Sequence, residues 1–229
     1  MTWLRLNWEQ VIDLLWSHLM LAVPAIVFST VIAVPLGRLA YRHPRVGGPV
    51  LSAASLLYAI PALPMLVIIP AVLSIPLRSS MTMITALTVY GVALFVRTSA
   101  DAFASVEPTV RDAATAVGHS PTALFWRVDL PLAVPVLIAG LRVVSVSTVG
   151  LVTIGALVGI QNLGTLMTDG FQRGIAAEVG TGVVVTVVLA LVIDAVLLLV
   201  GLLLTPWTRQ RRTAETATVG VPGSSEVPA

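Results

Sequence analysis

Few side chains in this sequence are suited to covalent chemistry. His18, His43 and His119 lie far apart, and none has a second histidine or a carboxylate at a helical interval, so no metal centre is expected. Cysteine is absent, which removes thiolate ligands and any disulfide framework. All 13 basic residues are arginine, so a Gly-x4-Gly-Lys-[Ser/Thr] phosphate loop cannot occur. No cofactor and no catalytic residue are predicted, and nothing points to a nucleic-acid surface. Two features remain. One is a carboxylate, Asp194, inside a long apolar run, and the other is the polar stretch RDAATAVGHSPTALFWRVDLP from Arg111 to Pro131.

Both features depend on the elements around them. The 229 residues are 57% hydrophobic and 10% charged, with a mean hydropathy of +0.97. A hydrocarbon core about 30 Å thick needs roughly 20 apolar residues of helix at 1.5 Å each. Such runs occur at Leu19 to Gly37, Gly47 to Leu77, Met81 to Val96, Val134 to Gln161 with Arg142 inside it, and Val179 to Trp207 with Asp194 inside it. The expected fold class is therefore all-α, a polytopic membrane protein of about five transmembrane helices. Basic residues favour cytoplasmic loops. With the N-terminus outside, Arg38, Arg42, Arg45, Arg97, Arg111, Arg127, Arg142, Arg209, Arg211 and Arg212 fall on the inner side, and only Arg5, Arg78 and Arg173 on the outer. An odd number of spans and an N-out, C-in topology support each other.

Residues 1–18 form a leader too acidic, with Glu9 and Asp13, for a signal peptide. Its apolar positions Trp8, Val11, Ile12, Leu15 and Trp16 suit either an interfacial helix or the first turns of the next span. Residues 19–207 form the membrane domain. Residues 208–229, small, polar and bearing Pro and Gly, are expected to be a disordered cytoplasmic tail.

Arg97 to Leu132 is the longest connection on the inner side, and its composition favours helix. Pro108 suits a first turn, Ala113, Ala114 and Ala116 favour the helical state over Thr109 to Val117, and Gly118 supplies a break. Ser120-Pro121 then reads as an N-cap and first position of a second short helix to about Val128. Such a hinged pair suits docking, with small side chains that admit a partner's backbone and Leu124, Phe125 and Trp126 as anchors. An amphipathic connector lying on the membrane fits the same residues.

Asp112-Ala113-Ala114, then Gly118, then Val128-x-Leu130-Pro131 resembles the EAA motif of permease subunits in binding-protein-dependent ABC importers, with Asp112 in place of the usual Glu. The stretches YAIPALPML (Tyr58 to Leu66), LPLAVPVLIAGLR (Leu130 to Arg142) and IGALVGIQNLG (Ile154 to Gly164) are similar to permeases for osmoprotectants such as glycine betaine, carnitine, choline and proline betaine. Gln161 and Asn162 depart from the more glycine-rich turn expected there. The resemblance implies a type I importer permease fold in a bacterial inner membrane and a coupling role for Asp112, Ala113, Ala114, Gly118, Leu130 and Pro131. It also implies three protein partners: a cytoplasmic ATPase, an extracytoplasmic solute-binding protein and a second permease subunit, identical or related. Membrane lipid is the surrounding partner. Related importers of amino acids or phosphonates share the motif, and a channel or secondary transporter without an ATPase is the reading from another class.

For a quaternary ammonium, aromatic faces are the natural recognition groups, and the spans offer Tyr58, Tyr90 and Phe95. Pro61 and Pro64 suit either a broken helix along a pathway or the ordinary proline content of membrane helices. Ser147, with Ser145, Thr148 and Thr153, suits close helix packing or a solute path. Asp194 either lines a polar path or pairs with an arginine such as Arg142. Tyr58, Pro61, Pro64, Tyr90, Ser147 and Asp194 are thus the candidate pathway residues.

Overall fold

The computed structural model describes residues 2–206, so the tail expected at 208–229 lies outside the described residues, as do Arg209, Arg211 and Arg212. No strand occurs among the described residues. The helices are α1 (Thr2–Leu6), α2 (Trp8–Arg42), α3 (Pro44–Ala59), α4 (Ala62–Leu73), α5 (Ser80–Ala104), α6 (Pro108–Ala116), α7 (Pro121–Leu124), α8 (Leu130–Val152), α9 (Leu163–Arg173) and α10 (Ala176–Leu204). A π-helical turn, Phe125–Asp129, joins α7 to α8, and a 3-10 turn, Thr153–Val158, follows α8.

Four helical stretches are long and apolar enough to cross a bilayer singly. The run from Gly47 to Leu77, expected as one span, is instead two helices, α3 and α4, bent by 111° at Ile60–Pro61. Counted as one broken span they bring the total to five. Trp8 to His18 continue unbroken into the first span, since all belong to α2.

Helix α2 carries a buried stripe of small residues, Ala22, Ala25, Ser29, Ala33, Gly37 and Ala40, spaced by three or four and so on one face. Small residues let membrane helices approach closely. Ser29 Oγ lies 2.6 Å from the Ala25 carbonyl and 3.2 Å from the Thr88 carbonyl of α5, so its hydroxyl serves the α2–α5 seam. At the α5–α8 seam a Cβ on Gly140 would stand 2.5 Å from Thr98 Cγ2. Lipid tails are as apolar as leucine, so this close packing, and not hydrophobic exclusion, holds the helices together.

Two apolar clusters stack along the bundle. The outer includes Leu21, Met65, Leu66, Met83, Val149, Leu163 and Leu166, and the inner Phe95, Val96, Phe103, Val106, Ala133 and Leu137. The ends of α2 and α5 and the start of α8 meet at one face, where Arg111 reaches Tyr41, Phe103 and Asp129. That face carries the arginine-rich connections and is the cytoplasmic one by the charge bias.

Candidate functional site

The polar stretch forms a compact device at that face. Helix α6 ends in a Schellman motif: the His119 N–H donates to the Ala114 carbonyl at 3.1 Å and the Gly118 N–H to the Thr115 carbonyl at 3.0 Å. Gly118 has φ +87°, a conformation that side-chain-bearing residues rarely adopt. Space around it is open, because a Cβ there would meet nothing within 4 Å. Ser120 Oγ then caps α7 by accepting the Ala123 N–H at 3.3 Å. Asp112, Ala113, Val117 and Gly118 are exposed, while Ala114, Leu130 and Pro131 are half-buried. The coupling candidates therefore divide into an outward surface on α6 and a root where Leu130 packs on the inner cluster.

Arg111, by sequence one of several inner-side arginines, is the centre of this device. Its Nε donates to Asp129 Oδ1 at 2.7 Å, its Nη1 to the Tyr41 hydroxyl at 2.5 Å and its Nη2 to the Phe103 carbonyl at 2.6 Å. Phe103 lies in the last turn of α5, where carbonyls lack intrahelical donors and favour a cation. One side chain thus ties α6 to the ends of α2 and α5 and to the root of α8. The sequence signal for it is the opposite charge of Arg111 and Asp129 at the two ends of the hinged stretch.

Of the expected anchors, Trp126 is exposed. Phe125 is not free: its ring lies 6.2 Å from Phe103 and under the Arg38 guanidinium at 3.4 Å. Phe125 fixes the hinge to the bundle and leaves Trp126 as the outward aromatic.

Three of the six candidate pathway residues come together. Tyr58, Tyr90 and Ser147 line one cavity of about 340 Å³, with Gly91, Thr148 and Gly150 among its other walls. The two tyrosine rings meet edge to face, 5.8 Å between centroids. Pro61 and Pro64 are outside the lining but shape it. Pro61 cannot donate to the Leu57 carbonyl, and the Ile60 N–H takes that place at 3.3 Å. Pro64 cannot donate to the Ile60 carbonyl, which accepts the Tyr90 hydroxyl instead. The prolines thus break the span and Tyr90 satisfies the carbonyl they orphan. Tyr90→Phe is expected to destabilise the full chain by about 1–3 kcal/mol by leaving that carbonyl unpaired. Thermal unfolding in detergent checks this, with Tyr58→Phe, whose hydroxyl has no hydrogen bond among the described residues, as an unshifted reference.

Asp194 is apart from that cavity. It accepts from Arg142 Nε and Nη2, both at 2.7 Å, in a two-pronged pair between α8 and α10.

The turn with Gln161 and Asn162 also has a clear form. Asn162 is buried and caps α9: its Oδ1 accepts the Gly164 N–H at 2.7 Å, and Thr165 Oγ1 accepts the Asn162 N–H at 3.2 Å. A reciprocal cap does here what a glycine-rich turn would do by backbone freedom alone. Helix α9 falls between the expected spans that end at Gln161 and begin at Val179.

Comparison with known proteins agrees with this architecture. Residues 25–210 match the family described as "Binding-protein-dependent transport system inner membrane component". The osmoprotectant import permease protein OsmW of Salmonella typhimurium is 32% identical over 205 residues, 85% of this chain and 91% of that protein. The glycine betaine/carnitine/choline transport system permease protein OpuCD of Bacillus subtilis is 28% identical, covering 86% of this chain and 85% of that protein. Among solved structures, an inward-facing MetNI methionine ABC transporter chain superposes with a TM-score of 0.76 at 21% identity, over 87% of this chain and 98% of that one. The crossing helices, the hinged cytoplasmic device and the family match together place this multi-pass chain in the inner membrane as a transport subunit: it belongs to the family of binding-protein-dependent transport system inner membrane components.

Proposed function

We propose that this chain is the permease of an ABC importer that carries a quaternary-amine osmoprotectant, of the glycine betaine, choline, carnitine or proline betaine class, across the cytoplasmic membrane. Two permease subunits, identical or related, enclose the path. A cytoplasmic ATPase seats α6 and the Gly118 turn in a surface cleft, and its closure moves the roots of α2, α5 and α8 through Arg111. An extracytoplasmic binding protein delivers the solute.

The observation that carries the coupling role is the exposed face of α6, held to three membrane helices by a single guanidinium. The cargo class is supported by the osmoprotectant transport named for the relatives, 32% and 28% identical along most of the chain. It is also supported by the cavity of Tyr58, Tyr90 and Ser147, whose roughly 340 Å³ lies in the range of small-molecule sites and whose aromatic rings suit a cation without N–H donors.

Uptake of labelled glycine betaine decides the matter, measured in cells lacking their own betaine systems and expressing this chain beside its candidate ATPase and binding protein. Uptake that requires the ATPase supports the reading. An assembled complex that takes up no betaine rejects the cargo, and uptake persisting without the ATPase rejects the importer mechanism. Gly118→Asp is expected to lower uptake several-fold at unchanged membrane level, because it strains a φ of +87° and places a carboxylate on the docking face. Gly118→Asn, which tolerates that backbone better, is expected to lose less.

A further inference from the structure

A second cavity shares no lining residue with that of Tyr58, Tyr90 and Ser147. Between the cytoplasmic halves of α2 and α8 and the end of α10 runs a groove of about 740 Å³. Val31, Val34, Val134, Leu137, Ile138 and Leu204 give it apolar walls, while Arg38, Arg42 and His43 stand at its mouth. Along α2 it extends from Thr30 to the C-cap residue His43, a rise of 13 residues. At 1.5 Å per residue that is about 20 Å, enough to cross one leaflet of a hydrocarbon core about 30 Å thick and reach the headgroup layer.

The charge at the mouth is only partly met from within. Arg38 stacks on the Phe125 ring at 3.4 Å, yet neither Arg38 nor Arg42 forms an ion pair among the described residues. The carboxylate in this region, Asp129, is taken by Arg111 at 2.7 Å. Trp126, 62% exposed, also lines the groove, and tryptophan favours the headgroup level of a membrane. The inner leaflet is the one rich in anionic lipid.

We propose that this groove binds an anionic phospholipid of the inner leaflet, one acyl chain lying between α2 and α8 and the phosphate held by Arg38 and Arg42. An uncharged lipid would use the slot and leave the arginines unpaired. A free anion would use the arginines and leave the slot empty. The match of both is what selects this ligand, and the assignment holds whatever solute the importer carries.

Native mass spectrometry of the full chain, stripped of lipid in detergent, tests it with phosphatidylglycerol and phosphatidylcholine of matched acyl chains. Phosphatidylglycerol is expected to be retained about tenfold more strongly, and Arg38→Ala/Arg42→Ala to reduce its retention to that of phosphatidylcholine. Val134→Trp, which fills the slot, is expected to lower retention of both. If the double variant does not accumulate, Arg42→Ala alone is expected to lose several-fold of the preference. Equal retention of the two lipids, no change in the arginine variants, or competition by glycerol phosphate as effective as the whole lipid each overturns the proposal. The chain has no cysteine, so Val34→Cys introduces a unique thiol. Cross-linking of that thiol between two copies in native membranes would make the groove a subunit interface and would likewise overturn it.

Discussion

Arg111→Ala is expected to bring ATP-driven uptake to background while the permease still reaches the membrane and the partner ATPase still turns over. The guanidinium makes three charge-assisted hydrogen bonds, to Asp129, the Tyr41 hydroxyl and the Phe103 carbonyl, at 2.5 to 2.7 Å. Both side chains of the ion pair are shielded, 15% and 14% exposed. Removing one partner of such a pair leaves the other charge uncompensated, at a cost on the order of 3 kcal/mol. That loss falls on the joint between α6 and the membrane helices, while the two apolar clusters of the bundle stay intact. No residue of helix α6 is fully buried, so the guanidinium is its main fastening, and without it α6 is expected to move with the ATPase and leave α2, α5 and α8 behind. Arg111→Lys sharpens the test, since an ammonium is a point charge and cannot hold three acceptors in the fixed directions of a guanidinium fork. Uptake and ATP hydrolysis measured on the same vesicles check this. Hydrolysis kept with uptake lost is the expected outcome, and uptake above half of the parent value in Arg111→Ala contradicts the coupling role.

The parts of this architecture that were legible from sequence are those with a strong local signal. Apolar runs separated by arginines mark the spans, and the alanine-rich stretch ended by Gly118 marks helix α6 nearly to the residue, Thr109 to Val117 expected against Pro108–Ala116 observed. Where the local signal is weak, a long-range partner decides the structure. The bend at Ile60–Pro61 depends on Tyr90, 30 residues away, accepting the role of donor to the freed carbonyl. From the sequence alone Pro61 and Pro64 are equally at home in a kinked but continuous span. The gathering of Tyr58, Tyr90 and Ser147 around one cavity follows from that bend, so their association was not legible, though each was singled out by type. Arg111 illustrates the opposite limit. Charge bias explained its presence well enough that nothing called for a further role, and only the fold brings Tyr41, Phe103 and Asp129 to its three edges. Helix α9 was hidden for a related reason: Asn162 does not resemble a turn residue of the expected kind, yet as a reciprocal cap with Thr165 it starts a helix.

Asp194→Ala is expected to cut the amount of permease in the membrane several-fold, and the double variant Arg142→Leu/Asp194→Leu to recover most of it. Asp194 precedes Leu204, the end of α10, by ten residues, or about 15 Å, which is half of a hydrocarbon core about 30 Å thick. A carboxylate or a guanidinium alone at that depth is strongly disfavoured, and the two-pronged geometry at 2.7 Å lets each satisfy the other. Single replacement therefore strands a charge, whereas replacing both removes the need for pairing and leaves apolar surface that packs or faces lipid. The recovery carries the functional information. If the pair serves only to fasten α8 to α10, uptake returns together with membrane level, which is the outcome expected because neither residue lines the cavity of Tyr58, Tyr90 and Ser147. Recovery of the level without recovery of uptake would return Asp194 to the solute path, and immunoblotting of membranes alongside betaine uptake separates the two.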